Sequence, residues 1–154
     1  MTGSSDPGGP KSATTLEIRA GLVPELACLD LQRSLAFWCD TLRFRVRYDR
    51  PGFAYLRLEC NEVMLEQAGG HWSTGPLDPP LGRGINFQME VTDVQRILGR
   101  VTRAGVVPFR PLATSWYRVK EIETGQSEFL VTDPDGYLLR FMQHSGERPA
   151  GKDD

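Results

Sequence analysis

The residues best placed to meet a ligand are Trp116-Tyr117-Arg118, in a polar stretch over 113–125 that lacks core periodicity. Large aromatics outside a core pattern often line pockets, and a Trp–Tyr pair beside an Arg can stack on a flat or cationic molecule. The competing reading has Trp116 plugging the end of a barrel. Trp72, in Gly69-Gly70-His71-Trp72, is open to the same two readings. Strand alternation puts Phe53, Tyr55 and Arg57 on one face and Ala54, Leu56 and Leu58 on the other, which suits a strand lining a cleft. Asn86 and Gln88 share a face in the same way and offer amides to it.

Other chemistry is poorly served. His71 and His144 stand at neither helical nor strand spacing from a partner ligand and read as solvent-exposed loop histidines. The chain has no Gly-x-Ser-x-Gly, no phosphate loop, no Gly-x-Gly-x-x-Gly after a strand and no Cys paired with a nearby His in sequence. Cys28, Cys39 and Cys60 are odd in number and each lies in an apolar pattern, so reduced, buried thiols and a cytoplasmic location are expected. A net charge of −2, with fifteen Arg scattered among acids, excludes an overall basic footprint for nucleic acid. No apolar run approaches the length of a membrane span.

At 154 residues and 40% apolar composition the chain has the size of one domain. Residues 1–21 read as a disordered leader, since eleven of the first fifteen are Gly, Ser, Thr or Pro, and 145–154 as a flexible tail. Between them a unit occurs twice. Asp30 and Asp93, 63 apart, each follow a strand (23–29, 85–91) and are placed to cap a helix (31–42, 94–104). Strands over 44–49, 53–59 and 62–67 complete module one (22–67), and 68–83 is a Gly- and Pro-rich connector. Module two (84–144) adds strands over 106–111, 126–132 and 137–143, with Asp133-Pro134-Asp135-Gly136 as a tight turn. The expected fold is therefore α+β, two tandem βαβββ modules. Gly105 supplies the positive φ that stops the second helix; Arg43 must adopt it at the end of the first, at a cost of about 1 kcal/mol.

With these motifs in order, residues 22–143 resemble the vicinal oxygen chelate superfamily, which includes glyoxalase I, extradiol dioxygenases, fosfomycin-modifying transferases and the bleomycin-resistance proteins. Phe37-Trp38-Cys39-Asp40-Thr41-Leu42-Arg43-Phe44, Phe53-Ala54-Tyr55 and Glu128 through Gly136 look most like the bleomycin-resistance group. The resemblance implies a curved sheet enclosing a cleft, and, for that group, a metal-free homodimer that sequesters a basic glycopeptide antibiotic. The metal enzymes of the superfamily take their ligands from four repeat-related places, which fall here at Val23, Glu66, Asn86 and Arg140. Only Glu66 is a credible ligand, and a dication near a guanidinium would meet repulsion of several kcal/mol.

No metal and no cofactor are thus expected. Glu66 and Arg140 should instead approach across the cleft as an ion pair, contributed by two chains if the protein dimerises; a one-residue register error would leave both merely solvated. Glu66 could also act as a general base in a metal-free reaction, although a neighbouring Arg would weaken it. The expected site is Phe53, Tyr55, Glu66, Asn86, Gln88, Trp116, Tyr117, Arg118 and Arg140, with no catalytic residue. The expected function is sequestration of a small or medium organic ligand in a homodimer, with a metal-dependent glyoxalase or dioxygenase using unrecognised ligands as the alternative. Residues 22–145 carry 15 acids and 14 bases, which is less acidic than capture of a cationic antibiotic favours.

Overall fold

A computed structural model describes residues 20–70 and 72–151. His71 and most of the presumed leader, residues 1–19, therefore lie outside the described residues. Module one consists of β1 (Glu25–Cys28), α1 (Leu31–Leu35), a π-helical continuation of α1 (Ala36–Thr41), β2 (Arg45–Arg50), β3 (Phe53–Leu58) and β4 (Asn61–Gln67). Module two consists of β5 (Asn86–Glu90), α2 (Val94–Arg103), β6 (Arg110–Val119), β7 (Ile122–Thr132) and β8 (Leu138–Pro149). Each module forms a four-stranded sheet, in the orders β1-β4-β3-β2 and β5-β8-β7-β6, with its first and last strands parallel. The α+β architecture of paired βαβββ units is the one the repeat implies.

Local chemistry explains why the repeat folds alike twice. Asp30 and Asp93 are in extended conformation and accept from the amides of Arg33 and Arg96, satisfying one orphan donor of each first turn. A second orphan is met from the last strand of each module: Gln67 Oε1 accepts from Leu31 N at 2.9 Å, and Gln143 Oε1 from Val94 N at 3.0 Å. Both helices end in the left-handed conformation, Arg43 at φ 71° and Gly105 at φ 76°. The amides that follow them turn back, Phe44 N to Trp38 O and Val106 N to Val101 O. The core lies between helices and sheets, where Trp38, Leu56, Leu65, Val101, Phe129 and Phe141 are fully buried.

The Asp133-Pro134-Asp135-Gly136 turn does more than reverse the chain. Asp133 Oδ1 accepts from the amides of Asp135, Gly136 and Tyr137, and its Oδ2 from Trp38 Nε1 at 3.2 Å. Asp135 accepts from Arg33 at 2.8 Å and from Ser34 Oγ at 3.0 Å. Two buried carboxylates of module two thereby clasp the first helix of module one. A sequence reading can see the turn, but its long-range partners are about a hundred residues away and leave no local pattern.

Four expectations about the second module are corrected. The stretch 113–125 is not a polar loop, because β6 and β7 extend into it as one long hairpin, pairing from Ala113↔Glu128 to Val119↔Ile122 with Lys120 at φ 59° in the turn. Residues 145–149 are not a flexible tail but the far end of β8, held against β7 by the pairs Ile122↔Pro149 to Gly125↔Gly146. His144 accordingly sits in a strand, exposed, rather than beyond it. The first strand after α2 begins at Arg110, later than the alternation over 106–111 suggests. Cross-strand hydrogen bonding, not side-chain periodicity, sets these strand lengths.

Candidate functional site

In module one the expected face forms. The pairs Phe53↔Glu66, Tyr55↔Met64 and Arg57↔Glu62 place these side chains together on the side of the sheet opposite the helix. Glu62, which sequence reasoning missed, is a buried carboxylate; it accepts from Tyr55 Oη and from Ala20 N at 3.0 Å each, with Arg57 Nε at 3.9 Å. Burial, then the bond to Glu62, pushes the Tyr55 phenol up, so it remains a donor. The Arg50 guanidinium lies 3.8 Å above the centre of the Phe53 ring.

Glu66 lines a cavity of about 240 Å³ together with Glu25, Trp72 and Tyr137. Burial, then Glu66 itself, raises the Glu25 carboxyl above its usual range. The connector presses on this carboxylate, since a Cβ at Gly70 would stand 3.0 Å from Glu66 Oε2. Trp72 sits at the rim, 76% exposed. A second cavity of about 380 Å³ lies between the modules, where Asn86 and Gln88 meet Glu62, Trp38, Phe44 and Leu22.

In module two Gln88 stands beside Arg140 in register. Arg140 donates through Nε (2.7 Å) and through the terminal nitrogen (2.6 Å) to one oxygen of Glu128, its diagonal neighbour across β7 and β8. The ion pair expected between Glu66 and Arg140 is therefore absent among the described residues of one chain. Glu66 lies in the other sheet, and Arg140 finds a nearer carboxylate on its own. The signal for Glu128 was present, because a turn at 133–136 brings positions 128 and 140 close on adjacent strands.

The aromatic pair is also separated. Trp116 and Tyr117 are consecutive in β6, so they point to opposite faces. Trp116 lies over Gly125, whose Cβ would come within 2.9 Å of the ring, and the Arg148 guanidinium covers it at 4.1 Å. Arg148 is held in turn by Glu123 at 2.6 Å. Tyr117 pairs with Thr124 and is 47% exposed, on the face that carries Glu128 and Arg140 farther along the sheet. Arg118 donates to Lys120 O at 3.3 Å and lies opposite Glu123.

The four repeat-related positions do not suit a divalent metal: Val23 lacks a donor atom, Asn86 offers a neutral amide, and Arg140 brings a cation already fixed on Glu128. Among the described residues no three His, Cys, Asp or Glu side chains are gathered to hold one. The thiols also differ from expectation, with Cys28 buried but Cys60 exposed at the β3–β4 turn.

Paired βαβββ modules, each presenting the sheet face turned away from its helix, define the fold class. Residues 22–141 match the profile of the Glyoxalase/Bleomycin resistance protein/Dioxygenase superfamily, and the chain belongs to it. It is 27% identical over 133 residues to a bleomycin resistance protein of Geobacillus stearothermophilus, covering 79% of this chain and 94% of that one. A Staphylococcus aureus bleomycin resistance protein matches to the same extent. Among solved structures, TioX from Micromonospora sp. ML1 superposes with a TM-score of 0.65 at 24% identity, covering 81% of this chain and 98% of that one. The bleomycin resistance determinant encoded on transposon Tn5 superposes at 0.58 and 19% identity, covering 82% and 99%. These two likenesses concern the fold.

Proposed function

We propose that the protein binds and sequesters a small or medium organic molecule without a metal, in clefts completed by a homodimer, with bleomycin-type antibiotics among its ligands. The observation that carries this reading is the Arg140–Glu128 pair, at the position where the resemblance implies a ligand in the metal enzymes of the superfamily. A guanidinium so placed can orient an anionic or hydrogen-bonding group but cannot help hold a dication. The bleomycin resistance proteins at 27% identity support sequestration as the activity.

Each module exposes half of such a cleft. Module one offers Glu66, with Phe53 buried under Arg50 and Tyr55 buried on Glu62 as the floor beneath it, and module two offers Asn86, Gln88, Tyr117 and Arg140, with Arg118 at the hairpin end. A two-fold partner would oppose the halves, and the Glu66 carboxylate would then meet Arg140 of the other chain across the ligand. Binding needs no bond making, so no residue is assigned a catalytic role. A cytoplasmic location fits the three free thiols.

A thermal-shift screen with bleomycin and with flat aromatic cations tests the reading. A ligand at 100 times its Kd should add about 2.7 kcal/mol of stability. A stoichiometric transition metal in the purified protein would sink it, as would a complete absence of shifts across the screen.

A further inference from the structure

A larger cavity, of about 770 Å³, opens at the junction between the modules, among the end of the first helix, the edge of β2 and β3, and α2. Six arginines line it: Arg43 after the first helix, Arg45 and Arg47 on β2, Arg57 on β3, and Arg96 and Arg100 on α2. Its two carboxylates are already committed. Glu59 accepts from Thr92 N at 2.9 Å and from Thr92 Oγ1 at 3.0 Å, while Asp93 caps α2. Arg57 donates Nε to Glu59 O at 2.7 Å and stands 3.9 Å from Glu62, and Arg100 donates to Leu42 O at 3.3 Å. Arg43, Arg45, Arg47 and Arg96 have no ion-pair partner among the described residues.

Convergence of this kind is unfavourable in itself, because like charges repel. Burial lowers the Arg100 guanidinium from its usual range, and the neighbouring Arg96, Arg43 and Arg103 act in the same direction. Arg43 is moreover held at φ 71°, where the repeat-related position is Gly105, so a cation is kept at a strained site that glycine would relieve. The walls are tied together by the Glu59–Thr92 bonds, and Phe44, Leu58 and Ile97 supply an apolar surface.

We infer that this cavity is a binding site for a small oligophosphate, of the size and charge of a nucleoside di- or triphosphate. Guanidinium forks match phosphate oxygens in pairs, and several of them require several negative charges close together. The volume falls within the range of small-molecule sites, and the apolar patch can take an organic portion. A long polyanion is disfavoured because the chain as a whole carries a net charge of −2. The inference is independent of the cleft reading.

Calorimetric titration of the full chain at low salt, with ATP, tripolyphosphate, orthophosphate and oligonucleotides of increasing length, tests it. ATP and tripolyphosphate should saturate at one per chain, at least about tenfold more tightly than orthophosphate. The double substitution Arg47→Gln with Arg96→Gln should weaken both at least about tenfold, whereas Arg140→Gln should leave them unchanged. Equal affinity for the two ligands assigns the phosphate chain alone, and tighter ATP binding assigns a nucleotide. Absence of saturable binding, binding that survives the double substitution, or affinity that grows with oligonucleotide length overturns the inference.

Discussion

Arg43 shows how much a single residue can reveal. Its left-handed backbone at φ 71° ends the first helix as Gly105 ends the second, but with a Cβ that crowds the following carbonyl. Arg43→Gly should raise stability by about 1 kcal/mol, a few degrees in Tm, while weakening oligophosphate binding. An unchanged or lower Tm would contradict the strain. This conflict was legible in the sequence because it is local: Leu42-Arg43-Phe44 stands where Ala104-Gly105-Val106 stands in the repeat. Glu62 was not, since only the fold brings Tyr55 and Ala20 to it. Cys28 carries a pH prediction. Burial pushes its thiol up to about 11 from an ordinary 9.0, so the folded state favours the protonated form. That contribution is complete below pH 9 and is lost as pH rises toward 11, on the order of 2 kcal/mol. Denaturation midpoints measured from pH 8 to 11 should fall more steeply for the native chain than for Cys28→Ala.

Among the elements, the caps, the repeat and the βαβββ order could be read directly, because Asp30, Asp93 and the alternating strands act within a few residues of themselves. The long hairpin could not. Trp116 and Tyr117 sit among polar residues that suggest a loop, and the strand exists because β7 and the extended β8 supply backbone partners. The separation of the two aromatics makes a sharp prediction. Trp116→Ala should remove the stack on Arg148 and Gly125, lowering stability by about 1–2 kcal/mol without changing ligand affinity. Tyr117→Ala should weaken ligand binding with little effect on Tm, as read by parallel thermal-shift and binding titrations. The clasp at Asp133 is a stronger test of how the modules are held. Asp133→Ala leaves Trp38 Nε1 and the Asp135 and Tyr137 amides without their acceptor, while the Gly136 amide keeps the residue-133 carbonyl, and the urea midpoint should drop by the equivalent of about 3 kcal/mol or more. A loss under 1 kcal/mol would mean that water replaces the carboxylate easily.

For the whole molecule, charge that looks dispersed along the chain is gathered by the fold. Arginines at 43–57 and 96–100 are separated by all of β4, the connector and β5, yet line one cavity. The cleft residues behave oppositely: Glu66 and Arg140, matched by position in the repeat, lie in different sheets, and Arg140 pairs with Glu128 instead. In the proposed function a second copy supplies the complementary module, so the ligand should bind at two sites per dimer. Titration of chelator-stripped protein with bleomycin tests that claim most directly. Saturable binding at one ligand per chain, undiminished after metal removal, is the predicted result; binding that appears only when a divalent transition metal is restored would contradict it.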